Sequence, residues 1–172
     1  MDVAGQTLTA RIDLDVRGAS PVRVLLAALG PRMLELAGGL ADGTITWMAG
    51  PRTLATHVVP RLRAAAEAAG RPVPVVGAGF PVCVTDDPGA ARANAARVYA
   101  VYGTLPSYRA MLDREGVGGP GDVAIVGDEA RVAEQLEALR AIGVTELVAS
   151  IFGAPEDRAR TYAFLSTVGE GS

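Results

Sequence analysis

Four times along the chain an apolar run closes on a small-residue turn and a proline, and helical spacing follows in three of the four cases. The runs begin near Val22, Thr44, Val73 and Val144. Their closing segments are Ala27-Ala28-Leu29-Gly30-Pro31, Trp47-Met48-Ala49-Gly50-Pro51, Gly77-Ala78-Gly79-Phe80-Pro81 and Ile151-Phe152-Gly153-Ala154-Pro155. Continuous apolar runs of this length suit strands buried on both faces. Strands alternating with helices define an α/β chain with a mostly parallel sheet. After the third run, the helical spacing begins only at Asp86, with Pro88 in the first turn. Helices are expected also over Ser107–Arg114 and Glu129–Ile142, with Gly143 as the stop of the latter. Before the first unit, Leu8, Ala10, Ile12, Leu14 and Val16 alternate with polar residues. Period two predicts a half-exposed strand or hairpin arm there.

In open α/β sheets and in barrels, ligands bind beyond the carboxyl ends of the strands. Small residues at those ends let backbone N–H groups approach a ligand, and the next helix offers unpaired N–H groups and a positive dipole end. Such a face suits a phosphate or a flat ring. Each Gly-Pro is equally an ordinary turn. The Gly77/Gly79 pair is no dinucleotide fingerprint, because Pro81 and Val82 stand where a helix start and a third glycine belong.

Composition removes several classes of function. All 16 basic residues are arginine, so lysine Schiff bases and lysine-dependent phosphate loops are excluded. The net charge of −3 disfavours sequence-independent nucleic-acid binding. Cys83 and His57 are single, so neither an intramolecular disulfide nor a His/Cys metal cage is available. Met1–Arg11 lacks the apolar core of a signal peptide, and no run reaches the ~20 apolar residues of a membrane span, which predicts a cytoplasmic protein. Hydrophobic residues at 49% supply a core.

The remaining candidates read as follows. His57 lies on the flank of a stripe formed by Leu54, Val58, Leu62, Ala65 and Ala69, so a solvated histidine is expected. Pro60 either kinks that helix or begins its second half. Cys83, between Val82 and Val84, reads as a buried inert thiol. Trp47 either stacks on a ligand ring or caps the core. Asp86-Asp87-Pro88 reads as a helix cap and not as a metal site. Arg32 either reaches a ligand anion or is an exposed first-turn arginine.

Two blocks carry a resemblance. Residues 24–38 (Val-Leu-Leu-Ala-Ala-Leu-Gly-Pro-Arg-Met-Leu-Glu-Leu-Ala-Gly), followed by Leu40-Ala-Asp-Gly-Thr-Ile-Thr-Trp47, resemble the luciferase-like monooxygenase family, in particular its branch that uses the deazaflavin coenzyme F-420. Ile125-Val-Gly-Asp, Val132, Leu136 and Gly143-Val-Thr-Glu-Leu-Val148 agree with it in order and spacing. The resemblance implies a (β/α)₈ barrel and hydride transfer between a flavin or deazaflavin and a small organic substrate. It implies that this chain is the C-terminal half of such a barrel, a single partial domain over 1–172. Residues 1–20 would be a β arm from the insertion region and 21–172 the fifth to eighth βα units. It places Ala27, Ala28, Leu29, Gly30 and Pro31 against the coenzyme's phosphate-bearing tail and Thr46 at a further coenzyme-facing position. F-420 is the expected coenzyme, with FMN as the alternative. No catalytic residue is carried over, because the ring pocket belongs largely to the first four units.

A complete barrel needs about 250 residues. Four parallel strands leave two open edges and an unfilled inner face. The expected partner is therefore a second copy, or a complementing N-terminal half. Two other readings compete. One is a non-catalytic remnant that binds a partner or a coenzyme tail; the other is a doubly wound domain with a flat sheet that binds a phosphate-bearing ligand.

Overall fold

The computed structural model describes residues 2–7, 9–11, 18, 20 and 22–169. A small antiparallel pair comes first, β1 (Asp2–Ala4) with β2 (Thr9–Arg11), in the register Asp2↔Arg11. This is the expected hairpin arm. Its predicted continuation through Ile12, Leu14 and Val16 lies outside the described residues.

The main sheet is parallel throughout. Its strands are β3 (Leu25–Ala27), β4 (Gly43–Trp47), β5 (Val75–Val84), β6 (Ile125–Gly127) and β7 (Glu146–Ile151). The helices between and after them are α1 (Pro31–Leu40), α2 (Pro51–Thr53) running on into α3 (Val59–Ala68), α4 (Pro88–Val98), α5 (Pro106–Glu115), α6 (Glu129–Ile142) and α7 (Pro155–Gly169). Strand order is β3-β4-β5, with β7 on the far edge of β5. Residues Gly77–Gly79 pair with β4 on one side and β7 on the other, and Val82 pairs with both β6 and β7. Hence β6 continues the β4 side of β5 beyond the point where β4 stops. Among the described residues, β3 and β7 each keep one edge without a neighbouring strand.

The third apolar run corrects the sequence expectation. Gly77–Pro81 is not a strand end; it is the middle of a ten-residue strand that reaches Val84. Pro81 is tolerated there for a definite reason. The Gly79 carbonyl accepts from Met48 N–H, so odd-numbered residues of β5 face the β4 side. Pro81 therefore turns its missing N–H into the gap between the end of β4 and the start of β6, and no ladder bond is lost.

Alternation divides the sheet into two faces. Val76, Ala78, Phe80 and Val82 turn to the helices and pack with Leu34, Ala37, Leu54, Val58 and Leu62 in the main core. The opposite face carries the in-register rows Ala27–Ile45–Gly77–Glu146 and Trp47–Gly79–Val148. Across that second face Arg23, just before β3, pairs with Glu146 of β7 at 2.9 Å.

The helix after β4 also departs from its predicted stripe. Leu54–Val58 is a π turn, closed by Val59 N–H on the Leu54 carbonyl. In a regular helix the ring of Pro60 clashes with the carbonyl four residues back, and the wider turn relieves that clash. Beyond it Leu62 and Ala66 are buried, whereas Ala65 is half-buried and Ala69 exposed. No helix among the described residues is long and apolar enough to cross a membrane. Phe80 is 1% exposed at the centre of the core. Phe80→Ala is expected to lower stability by about 3–5 kcal/mol in urea unfolding, with the slope of the transition unchanged.

Candidate functional site

A cleft of about 450 Å³ opens at the carboxyl ends of β3 and β4. Its wall includes Ala27, Ala28, Leu29, Gly30, Met33, Ile45, Thr46 and Trp47, with Gly79 and Val148 from the next strands. Ser107 and Tyr108 of α5 close the opposite side. Five of the six residues singled out in the sequence thus line one space. Pro31 sets the first helical position of α1 but is not part of the wall.

The composition of the floor follows from close approach. A Cβ on Gly79 would meet Trp47 Cε3 at 2.7 Å and the Thr46 carbonyl oxygen at 2.8 Å. Only glycine lets the indole lie against β5. Trp47 then packs edge-on to Tyr99 (5.8 Å between centroids) and Tyr102 (5.9 Å), and Tyr102 meets Tyr108 at 5.0 Å. Its indole N–H is buried without an acceptor. Trp47 therefore caps an aromatic cluster, the second of the two roles open to it, and it also lines the cleft. Directly after it, Met48 is fully buried at φ 54°, a left-handed conformation that is costly for a side chain with a Cβ. Thr46 shares the helix-facing side of the sheet with its partner Ala78. It is 3% exposed, and its hydroxyl donates to the Gly77 carbonyl at 3.4 Å.

The four loops do not offer equivalent anion sites. Gly30 begins α1 in an extended conformation with no side-chain cap. At α2 the carboxylate of Glu115 accepts from Arg52 N–H (3.1 Å) and Thr53 N–H (2.7 Å). A Cβ on Gly50 would collide with that carboxylate. At α4 the Asp87 side chain accepts from Ala90 N–H at 2.9 Å, as its sequence position suggested. At α7 the first turn carries Glu156 and Asp157. Among the described residues, no side chain caps the start of α1 and its first turn carries no acidic residue. Arg32 beside them is exposed.

His57 overturns its sequence reading. It is 3% exposed, not solvated, and its Nε2 lies 2.8 Å from the Leu29 carbonyl oxygen. A carbonyl only accepts, so Nε2 carries the proton and donates. Burial holds the imidazole pKa below its ordinary value, opposed by the Leu29 hydrogen bond and assisted by the charges of Arg114 and Arg61. Cys83 is fully buried, and burial pushes its thiol up to about 11, so it is inert as expected. No cluster of metal-ligating side chains occurs among the described residues.

A parallel βα array with a hollow inner face, open at both edges and lined at the strand ends, is the architecture of part of a (β/α)₈ barrel enzyme. The luciferase-like monooxygenase profile matches residues 1–146, and the chain belongs to that family. Over 100 residues it is 32% identical to a 5,10-methylenetetrahydromethanopterin reductase of Methanolobus tindarius, covering 58% of this chain and 30% of the relative. Its fold is similar to that of a coenzyme F-420 dependent tetrahydromethanopterin reductase from Methanopyrus kandleri, with a TM-score of 0.69 at 22% identity over 88% of this chain and 51% of that one. A type II Baeyer-Villiger monooxygenase of Pseudomonas putida, in complex with FMN, gives a TM-score of 0.69 at 14% identity over 96% and 56%. The chain therefore spans about half the length of these structures, and the family match together with this fold likeness argues against the flat doubly wound alternative.

Two outcomes follow. A histidine whose folded pKa is depressed binds fewer protons than the unfolded chain below the unfolded value of 6.5. Stability should then fall as pH is lowered through 6.5 toward the folded pKa, and His57→Gln should remove that component of urea midpoints measured from pH 8 to pH 5. Glu115→Ala should cost about 0.5–2 kcal/mol in the same assay, the range for a lost helix cap.

Proposed function

We propose that the chain is the coenzyme-cradling part, the C-terminal half, of a flavin-type oxidoreductase, with F-420 as the favoured coenzyme and FMN as the alternative. The observation that carries this is a cleft in which an uncapped helix N-terminus and an aromatic wall meet. Its volume of about 450 Å³ lies within the range of small-molecule sites. The residues present fit such a group in two respects. The first turn of α1 offers N–H groups to a phosphate, and the buried indole N–H of Trp47 lacks an acceptor that a polar ring edge would supply.

In this reading Ala27, Ala28, Leu29 and Gly30 bring backbone close to the coenzyme tail, and Pro31 presets the helix that receives it. Trp47 and Tyr108 exclude water from one side of the ring. When bound, the coenzyme supplies hydride exchange with a small organic substrate. The remaining ring-facing and substrate-facing groups come from other strands. A second copy, or a separately made half, would join the open edges of β3 and β7, where Val24 is 52% and Val148 45% exposed. A cytoplasmic setting belongs to the same reading.

The test is a fluorescence titration of the purified chain with F-420 and with FMN, alongside its mass by light scattering. Micromolar binding of either, in a species larger than a monomer, is the expected result. A folded chain that binds neither would show that this half makes no coenzyme site alone and would sink the reading of the cleft as a coenzyme cradle; binding without turnover would favour the non-catalytic remnant.

A further inference from the structure

Residues Leu29 and Gly30 line the cleft, yet Gly30 carries no side chain and α1 has no cap. Among the described residues, the side-chain hydrogen bond to the segment 28–31 comes from His57, reaching the Leu29 carbonyl at 2.8 Å. That histidine sits in the π turn Leu54–Val58, three residues before Pro60. Single π turns inside helices recur at functional sites. The peptide held by His57 is the one whose N–H belongs to Gly30, and the Gly30 carbonyl in turn accepts from Leu34 N–H at 3.0 Å in the first turn of α1. A buried imidazole, a π turn and the lip of the cleft are thus joined in one chain of contacts.

We propose that His57 is a positioning residue of the site: by holding the Leu29 carbonyl it fixes the peptide that enters α1, and with it the direction of the N–H groups presented to an anionic ligand. This rests on the cleft being the coenzyme site. His57 itself touches no ligand in this arrangement. Arg61, Arg114 and the Leu29 carbonyl are the charged and polar groups that act on it. Because Nε2–H donates in both protonation states, the contact persists when the ring is charged, and what pH changes is its stability cost.

The test uses the isotope-labelled chain. In the wild type, nitrogen shifts should show the Nε2–H tautomer at neutral pH, with the ring proton protected from exchange. His57→Leu should move the Leu29 and Gly30 amide signals and weaken F-420 or FMN binding about three- to tenfold, the scale of one lost hydrogen bond. His57→Gln, whose amide keeps a donor, should restore most of that binding and the Gly30 signal. An Nδ1–H tautomer, a freely exchanging ring proton, or Gly30 unmoved in the leucine variant would overturn the proposal, as would equal losses in both variants. If the wild type binds neither coenzyme, the coenzyme reading fails, and the tautomer and Gly30 signals still decide whether His57 sets the loop. If the leucine variant does not fold, the wild-type tautomer and the glutamine variant decide it.

Discussion

The sheet depends on β5. Among the described residues it alone is bonded to three strands, to β4 and then β6 on one side and to β7 on the other. Its helix-facing residues, from Val76 to Val84, form the middle of the core. Its opposite face is bare of side chains at Gly77 and Gly79, and that bareness admits the indole of Trp47. One strand thus supplies both the stability of the half barrel and the flat floor of the cleft, by alternating large residues with none.

The excursion between α4 and β6 shapes the site as much as the sheet does. Tyr99, Tyr102 and Tyr108 extend the aromatic surface begun by Trp47. Glu115 ties α5 to the helix after β4 through two backbone N–H groups. The same bond removes that helix as a competitor for anions, so an internal carboxylate helps decide which helix end stays available. Selectivity among the loops follows from caps supplied elsewhere in the chain.

Much of this was legible in the sequence. The apolar runs and their helical sequels located β4, β7 and most helices, and the loop Ala27–Gly30 does line a cleft. The misses have physical causes. Gly77, Gly79 and Pro81 looked like punctuation because a local reading assigns glycine and proline to turns. Their tolerance depends on which neighbour each residue faces. His57 looked solvated because its partner is a backbone carbonyl 28 residues away, and carbonyls leave no mark in sequence. Glu115 went unnoticed for the same reason: its acceptor role spans 62 residues. Thr46 lay near the right place, but alternation turns its side chain toward the helices.

Pro81 lies just past the point where the neighbouring strand stops. On the side of β4 that position offers no hydrogen, so a longer β4 would gain one ladder bond fewer there, with only the Pro81 carbonyl left to accept. The chain turns away at Met48 instead, and the cleft begins where the strand stops. Sequence change in the turn after Trp47 can therefore alter the rim of the cleft while its floor keeps the same level.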